Sequence, residues 1–380
     1  MASSGHSSSS PLNLQHRLKR LFELIERGDI RLFKDKVPET IAALRRVERL
    51  PDGTFNLDTV DGPVRTLCMM VDAMEYQPHP DYRHAKIDFP PLTLPALDRA
   101  RSSDDEFLSD LVDASNLVRK YLAMVASVTP DSLLTSPRYP VLAGHAVRLY
   151  KLYDTVLFLL VNNRAEMAMI LLRSLAETAI NFAYLLNNDD PDLIRAFHKA
   201  SLAYEKKLWD EVEQRRQTPP LAIEQRMQQG VERTIARAGF ALDEIAWNDR
   251  DWGGNVYQKA KQTDLIALYE FAFRPMSHNV HGTWHDLEFH HLEQDGSLYH
   301  SCLRYTNARP QLIEGATIVC LGVMRHYVQV VALGQSLDVS ARLEALEMWF
   351  SEMAKAHEQF VAASTRTGKN DAESAEESSA

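Results

Sequence analysis

The chain has 380 residues, more than a single hydrophobic core usually holds, so one large domain with a small appendage, or two domains, is expected. Hydrophobic residues make up 45% of the chain and charged residues 25%, which is ordinary for a soluble globular protein. The formal net charge of −10 argues against a surface that broadly coats DNA or an anionic membrane, although a local basic pocket is compatible with it.

The cysteines and the N-terminus indicate a reducing compartment. Cys68, Cys302 and Cys320 are far apart and form no CxxC pair, so neither a disulfide framework nor a cysteine zinc site is predicted. The first residues, MASSGHSSSS, lack the basic segment and the apolar run of a secretory signal and have the composition of a flexible tail. We therefore expect a cytoplasmic protein whose residues 1–11 are disordered.

A small helical unit is predicted over residues 12–95. Apolar residues recur every three or four positions over about Leu12–Arg27 and Ile30–Arg49. The dipeptide Asp61-Gly62 favours a tight turn, so a β-hairpin is expected within Thr54–Met70. Prolines between Gln77 and Pro95 interrupt any regular element, which makes that segment a connector to the main domain.

The main domain is predicted over residues 96–363 and is helical almost throughout, because apolar spacings of three and four dominate. A further short hairpin is expected at Gly296, and the acidic, Ser-rich tail over 364–380 is expected to be disordered. The fold class predicted is thus all-α, a multi-helix bundle with a small N-terminal helical unit and short β-hairpins. The helices are expected over about Ser103–Ser127, from Arg138 onward, Pro191–Arg216, Leu221–Ala238, Val256–Phe273, Pro310–Ala332 and Val339–Ala363.

The longest apolar region, Tyr150–Leu186, is predicted to be a central buried helix or helix pair. Polar residues interrupt it, so no uninterrupted run reaches the ~18 residues that a membrane span needs. No membrane association is therefore expected.

Five polar residues of this region are spaced so that they would share one stripe of a helix: Asn162, Glu166, Arg173, Glu177 and Asn181. A polar stripe on a buried helix must be paired. Two interpretations stay open: a structural network in which Arg173 and Glu177 bond to each other and to neighbouring helices, or one wall of a functional site.

The segment RPMSHNVHGTWHDLEFHH, residues 274–291, holds five of the chain's fourteen histidines. If it is helical from Pro275 onward, one face carries Arg274, His278, His281, His285 and Glu288, although Gly282 weakens a continuous helix. Three roles are open: exposed and inert side chains, metal ligands together with Glu288, or proton-transfer groups near an anion that Arg274 binds.

Most familiar catalytic motifs are missing from the sequence. There is no HExxH, no GxxxxGK[ST], no GxGxxG and no GxSxG, so neither a metal nor an organic cofactor is predicted. The single ExxH match, Glu288 to His291, lacks the second copy that a di-iron bundle needs. There is also no basic tract with interleaved aromatic residues, so a dedicated nucleic-acid-binding module is not supported.

The stretches LLRSLAETAINFAYLL, from Leu171, and YEFAFRPMSHNVHGTWHDL, from Tyr269, resemble a family of mainly bacterial helical proteins of unknown function, the domain-of-unknown-function 5677 family. The resemblance covers roughly residues 145–335. It implies a helical domain and supplies no activity. The residues that match its short motifs are Arg173, Ser174, Glu177, Ser277, His281 and Gly282.

A looser resemblance is to the HEPN ribonucleases, helical dimers of toxin and antiviral systems whose active helix carries an arginine, four to six residues, and a histidine. Arg274 and His281 match that spacing, while Pro275 stands where a polar residue usually follows the arginine. The resemblance implies catalytic roles for Arg274 and His281, an RNA substrate and a homodimer.

The leading hypothesis is a metal-independent ribonuclease that acts in stress or phage defence. In it His281 is the general base, His278 a second proton carrier, and Arg274 or Arg173 binds the phosphate. The alternative is a non-catalytic interaction or ligand-sensing protein in which Arg173, Glu177 and the histidines form a structural network. We also expect Arg173, Glu177 and at least one of His278 and His281 to share a pocket.

Overall fold

The computed structural model describes residues 11–26, 38–61, 64, 67–68, 89–127, 136–215, 221–246, 248, 251–331 and 336–377. Within these residues the fold is all-α, apart from one two-stranded antiparallel hairpin and a single β-bridge. The predicted fold class is therefore confirmed.

The helices and two short strands follow one another along the chain. The two short strands, β1 (Leu292–Asp295) and β2 (Leu298–Ser301), form the hairpin that was expected at Gly296, which has a positive φ of 61°. The helices are α1 (Pro11–Glu26), α2 (Pro38–Leu44), α3 (Asp104–Ser127), α4 (Tyr139–Val161), α5 (Ala165–Asn187), α6 (Pro191–Arg215), α7 (Ala222–Arg237), α8 (Val256–Gln262), α9 (Ile266–Leu268), α10 (Ser277–His281), α11 (Trp284–His290), α12 (Pro310–Val330) and α13 (Ser336–Glu377).

The N-terminal residues have a small core of their own. Leu14, Leu18 and Leu21 on α1 pack with Phe55 and other apolar residues up to position 68, and this cluster is separate from the main core. Within the described residues the chain turns at residues 51–53, and Arg49 and Phe55 on either side of this turn form the β-bridge. Gly62 and most of the expected second strand lie outside the described residues.

The main core lies between α3, α4, α5, α12 and α13. Helix α12 contacts all four of the others, which makes it the centre of the bundle. Burying one large apolar side chain stabilises a fold by roughly 1.5–3 kcal/mol, so the aromatic residues at this centre contribute much of the stability. The largest fully buried aromatic side chains are Tyr121, Tyr153, Tyr327, Phe182 and Phe350.

The central apolar region is a helix pair, which is one of the two forms predicted from the sequence. Helix α4 ends at Val161, Asn163 adopts a positive φ of 54°, and α5 begins at Ala165. Among the described helices, α5 alone is long and apolar enough to cross a membrane by length and composition, but 61% of that apolar window is buried inside the protein. We therefore interpret α5 as a core helix.

The ends of α3, α6, α7 and α12 agree with the sequence prediction to within about two residues. Two other elements differ. The helix predicted over Val256–Phe273 breaks at Asp264, whose φ of 57° ends α8, and resumes as α9 followed by a π-helix over Tyr269–Phe273. Helix α13 continues to Glu377, into the segment that was predicted to be disordered.

The connector joins the main bundle at its C-terminal end. The Phe89 ring stacks on Tyr121, the Tyr121 hydroxyl donates to the Pro90 carbonyl at 2.6 Å, and Trp349 Nε1 donates to the Pro95 carbonyl at 2.9 Å. These bonds hold residues 89–95, the described part of the proline-rich segment, although proline lacks a backbone donor.

A buried carboxyl group on α12 is expected to make stability depend on pH. Burial, together with the carboxylates of Glu358 and Asp104, raises the pKa of Glu314 to about 7. Because the folded pKa exceeds the unfolded value, the stabilisation is complete below about pH 4.5 and is lost as the pH rises to about 7. The group's full contribution over this window is at most about 3 kcal/mol.

We therefore expect Glu314→Gln to raise the melting temperature at pH 8 and to have a much smaller effect at pH 5. Thermal unfolding followed by circular dichroism at both pH values checks this. Glu352→Gln on the exposed side of α13 removes the same charge and should not change the pH dependence. An equal effect of Glu314→Gln at both pH values would contradict the prediction.

Candidate functional site

The polar stripe lies on α5, with one member fewer than predicted. Asn162 is not on this helix: it follows the end of α4, and its amide donates to the Phe158 carbonyl. The residues that do lie on α5 each interact with residues between positions 251 and 306 or with each other. They are Glu166, Arg173, Glu177 and Asn181.

Arg173 makes the central contact of the stripe. Its Nε donates to Ser277 Oγ at 3.1 Å and its Nη1 to Glu177 Oε2 at 3.0 Å, while the guanidinium carbon lies 4.3 Å from the centroid of the Phe273 ring. Ser277 Oγ donates in turn to the Phe273 carbonyl. The side chain is 22% exposed, so its charge is largely removed from water and needs these partners.

Glu166 forms the second contact between α5 and the histidine segment. Its carboxylate accepts the Thr306 backbone N–H at 2.8 Å, and the Thr306 hydroxyl lies 3.0 Å from His290 Nδ1. Burial lowers the pKa of His290. The start of α5 thus fixes the end of the segment, as Arg173 fixes its beginning.

Lys259 on α8 is the third contact, and the sequence gave no reason to single it out. Its Nζ donates to Asn181 Oδ1 at 3.3 Å and lies 2.9 Å from the centroid of the Trp252 ring, and the residue is only 3% exposed. Burial lowers the pKa of Lys259 to about 8, against the opposing effect of the Asp251 and Glu177 carboxylates. Glu177 thus accepts from Arg173, and its charge also acts on the pKa of Lys259.

The histidine segment is not the continuous helix that would put Arg274 to Glu288 on one face. Helix α10 ends at Gly282, whose φ of 56° places it in the left-handed region, and α11 begins two residues later. This conformation costs a residue with a side chain about 1 kcal/mol, so glycine suits the position. The break decides which histidines meet.

The break pairs His278 with His285. Their ring centroids are 5.3 Å apart, His278 Nδ1 lies 3.0 Å from Thr283 Oγ1, and the His285 ring lies 4.6 Å from Phe289. His281 is one helical turn from His278, and Arg274 precedes the same helix; all four of these charged or titratable side chains are exposed.

The two predicted parts of the site therefore meet through Ser277, which faces α5. Among the described residues, the hydrogen bonds of Arg173 go to Ser277 and Glu177, and that of His278 stays within its own segment. The structure does not test whether a histidine shares a pocket with Arg173, so the shared pocket stays a prediction.

No group of three histidine, cysteine or acidic side chains within the described part of the chain could hold a metal ion. Asp286, the buried acidic residue of the segment, accepts from the Asn279 amide at 2.7 Å and lies 3.6 Å from His291. Glu288 accepts from the Tyr299 hydroxyl. Asp286 thus has its partners within the segment, and Glu288 has a partner on β2.

Large apolar side chains are exposed around the histidines. Phe271, Trp284, Phe289 and Leu303 are 80%, 57%, 67% and 94% exposed. Scattered exposed apolar residues are normal, but a concentration of this kind in one segment usually marks a binding surface. We call these four residues the exposed apolar surface.

The fold and these contacts define a helical protein in which a polar stripe on α5 binds a histidine-rich segment. Residues 139–298 match the model of a family described as "Family of unknown function (DUF5677)". The resemblance expected from the sequence is therefore confirmed, over a shorter range than the expected 145–335. Neither the comparison with curated proteins nor that with solved structures found a match.

The bond between Arg173 and Ser277 is expected to stabilise the histidine segment. Ser277→Ala removes the acceptor for Arg173 Nε and should lower the free energy of unfolding by about 1–2 kcal/mol. It should also increase backbone hydrogen exchange in α10, which chemical denaturation and exchange mass spectrometry measure. Ser201→Ala, at an exposed position of α6, is the matched control. Unchanged exchange in α10 would show that the bond does not hold the segment.

Proposed function

We propose that the exposed histidines form the active surface of a metal-independent ribonuclease. The observation that carries the proposal is the pairing of His278 with His285, two exposed imidazoles with ring centroids 5.3 Å apart. Cleavage of RNA without a metal needs one group to take the proton of the 2′-hydroxyl and another to give a proton to the leaving 5′-oxygen. A pair of imidazoles can do both near neutral pH.

Arg274 is the proposed phosphate-binding group. It is exposed, immediately precedes α10, and has no ion-pair partner among the described residues. An arginine can bind a phosphate through two parallel hydrogen bonds, and its charge would stabilise the pentacoordinate phosphorus. Arg173 fits this role less well, because Ser277, Glu177 and Phe273 already contact its guanidinium.

His281 keeps its predicted role as a candidate general base. It is exposed, it matches the family motif, and it neighbours His278 on α10. Four other motif residues have a structural explanation. Arg173 bonds to both Glu177 and Ser277, and Gly282 has a positive φ. The protein needs no cofactor in this scheme. Exposed aromatic rings beside the histidines, such as Trp284, suit the stacking of unpaired bases.

The biological setting proposed is the cytoplasm, in stress or phage defence, with RNA as substrate. It is supported by the reduced cysteines and by the looser resemblance to the HEPN ribonucleases. In that setting the activity would restrict growth when the protein is produced.

The test is cleavage of a fluorescent single-stranded RNA in EDTA. The wild type is expected to cleave it and leave a 2′,3′-cyclic phosphate, and His278→Ala, His281→Ala and His285→Ala should each reduce the rate at least a hundredfold. The melting temperature should be nearly unchanged, because these side chains are exposed. In cells, growth and total RNA integrity should recover with the same variants.

His300→Ala removes an exposed histidine from β2, away from the pair, and should cleave like the wild type. Equal cleavage by all variants would indicate a contaminating nuclease. An absence of cleavage by well-folded wild type across RNA sequences would refute the proposal.

A second candidate function is non-catalytic association with another protein chain, and the exposed apolar surface favours it. Phe271 and Leu303 are among the most exposed apolar residues in the described chain, and such side chains are more common in interfaces than on free surfaces. The partner proposed is a second copy of this chain, in an isologous dimer.

Light scattering at micromolar concentration tests this candidate. A dimer is expected for the wild type, and Phe271→Glu with Leu303→Glu should shift it to monomer without lowering the melting temperature. Leu221→Glu, at the exposed apolar residue just before α7, is the control. A wild type that is monomeric at all concentrations would argue against self-association.

A further inference from the structure

A groove between α4 and α5 has no part in the site described above. Its volume is about 410 Å³, within the range of roughly 300–1,000 Å³ that small-molecule pockets have. The groove contains no aromatic ring and no acidic side chain. It is lined by Gly144, Val147, Arg148, Lys151, Leu152, Thr155 and Leu171.

Two cations stand at this groove without a carboxylate partner. Arg148 and Lys151 are three residues apart on α4, so they share a face of the helix, and both are exposed. Arg148 Nε donates to the neutral hydroxyl of Thr178 at 3.1 Å, and neither cation forms an ion pair with a described residue. In a chain with a net charge of −10, such an uncompensated pair is a local positive region.

The apolar part of the groove comes from Val147, Leu152 and Leu171. Aliphatic side chains favour a hydrocarbon chain, whereas a nucleotide base would need an aromatic or amide partner to stack on or bond to. Two cations beside an aliphatic wall therefore select a molecule with one anionic end and one apolar chain.

We propose that the groove between α4 and α5 binds a single-chain amphipathic carboxylate, such as a free fatty acid. The carboxylate lies between Arg148 and Lys151, and the hydrocarbon chain lies against Leu171 and Val147. Desolvation of the apolar chain supplies most of the affinity, and the cations give the preference for an anion. The site is independent of the histidine pair.

Gly144 offers a way to block the groove without disturbing the helix. A Cβ atom built at this position meets no other atom within 4 Å, so a larger side chain fits without a clash and extends into the groove. Gly144→Leu also suits a helix interior better than glycine does, so the variant should fold.

The test is isothermal titration calorimetry of the full chain with laurate, below its micelle-forming concentration. Laurate should bind the wild type with a dissociation constant in the micromolar range, whereas dodecyltrimethylammonium, with the same chain and a positive head, should bind at least tenfold more weakly. Arg148→Gln with Lys151→Gln should weaken laurate binding at least tenfold, and Gly144→Leu should abolish it. Lys120→Gln, at an exposed position of α3, is the charge control.

Equal binding of both amphiphiles would show that the cations do not select the head group and would overturn the proposal. Laurate binding that survives Gly144→Leu would place the ligand elsewhere, with the same result. Because Arg148 bonds to Thr178, the single variant Lys151→Gln, which breaks no described hydrogen bond, separates loss of charge from loss of structure. Binding of laurate to wild type and all variants alike would also refute the site.

Discussion

The charge of Arg173 on an apolar helix is the constraint on which the arrangement of this protein depends. A guanidinium that is largely removed from water is costly unless hydrogen bonds and an opposite charge compensate it. Glu177 supplies the charge from the next turn of α5, but an arginine before a glutamate is the weaker order on a helix. Ser277 supplies a hydrogen bond and the Phe273 ring supplies a cation–π contact, and both residues lie about a hundred residues away in sequence.

The same compensation recurs along α5 and gives the histidine segment its orientation. Glu166 binds the backbone of Thr306, and Asn181 binds Lys259, so three parts of the chain after residue 250 are fixed to one helix. Ser277 on α10 makes this attachment, while His278 and His281 on the same helix are exposed. The network around α5 is thus structural. The histidines, which are available for chemistry, are exposed on the segment that this network holds.

Local patterns predicted most of the fold and the polar stripe on α5. The bounds of α3, α6, α7 and α12 follow from apolar spacing and end signals, which act within a few residues. The turn at residues 51–53 was not predicted, although Asp52-Gly53 is the same kind of turn dipeptide as Asp61-Gly62; the β-bridge between Arg49 and Phe55 shows that the chain turns there. The pairing of His278 with His285 was also hidden, since a single left-handed residue, Gly282, changes the direction of the chain between them.

The sequence by itself determined that the protein is all-α, that a polar stripe crosses its central helix, and that the residues of the family motif lie in two separate segments. Helix periodicity and residue chemistry are local properties, so they can be read without the fold. Only the tertiary structure decided that Ser277 binds Arg173, that Lys259 is buried and bonds to Asn181, and that the groove between α4 and α5 carries two cations with no ion-pair partner among the described residues. Burial and contact across long sequence separations depend on how the helices pack, and no local pattern encodes them.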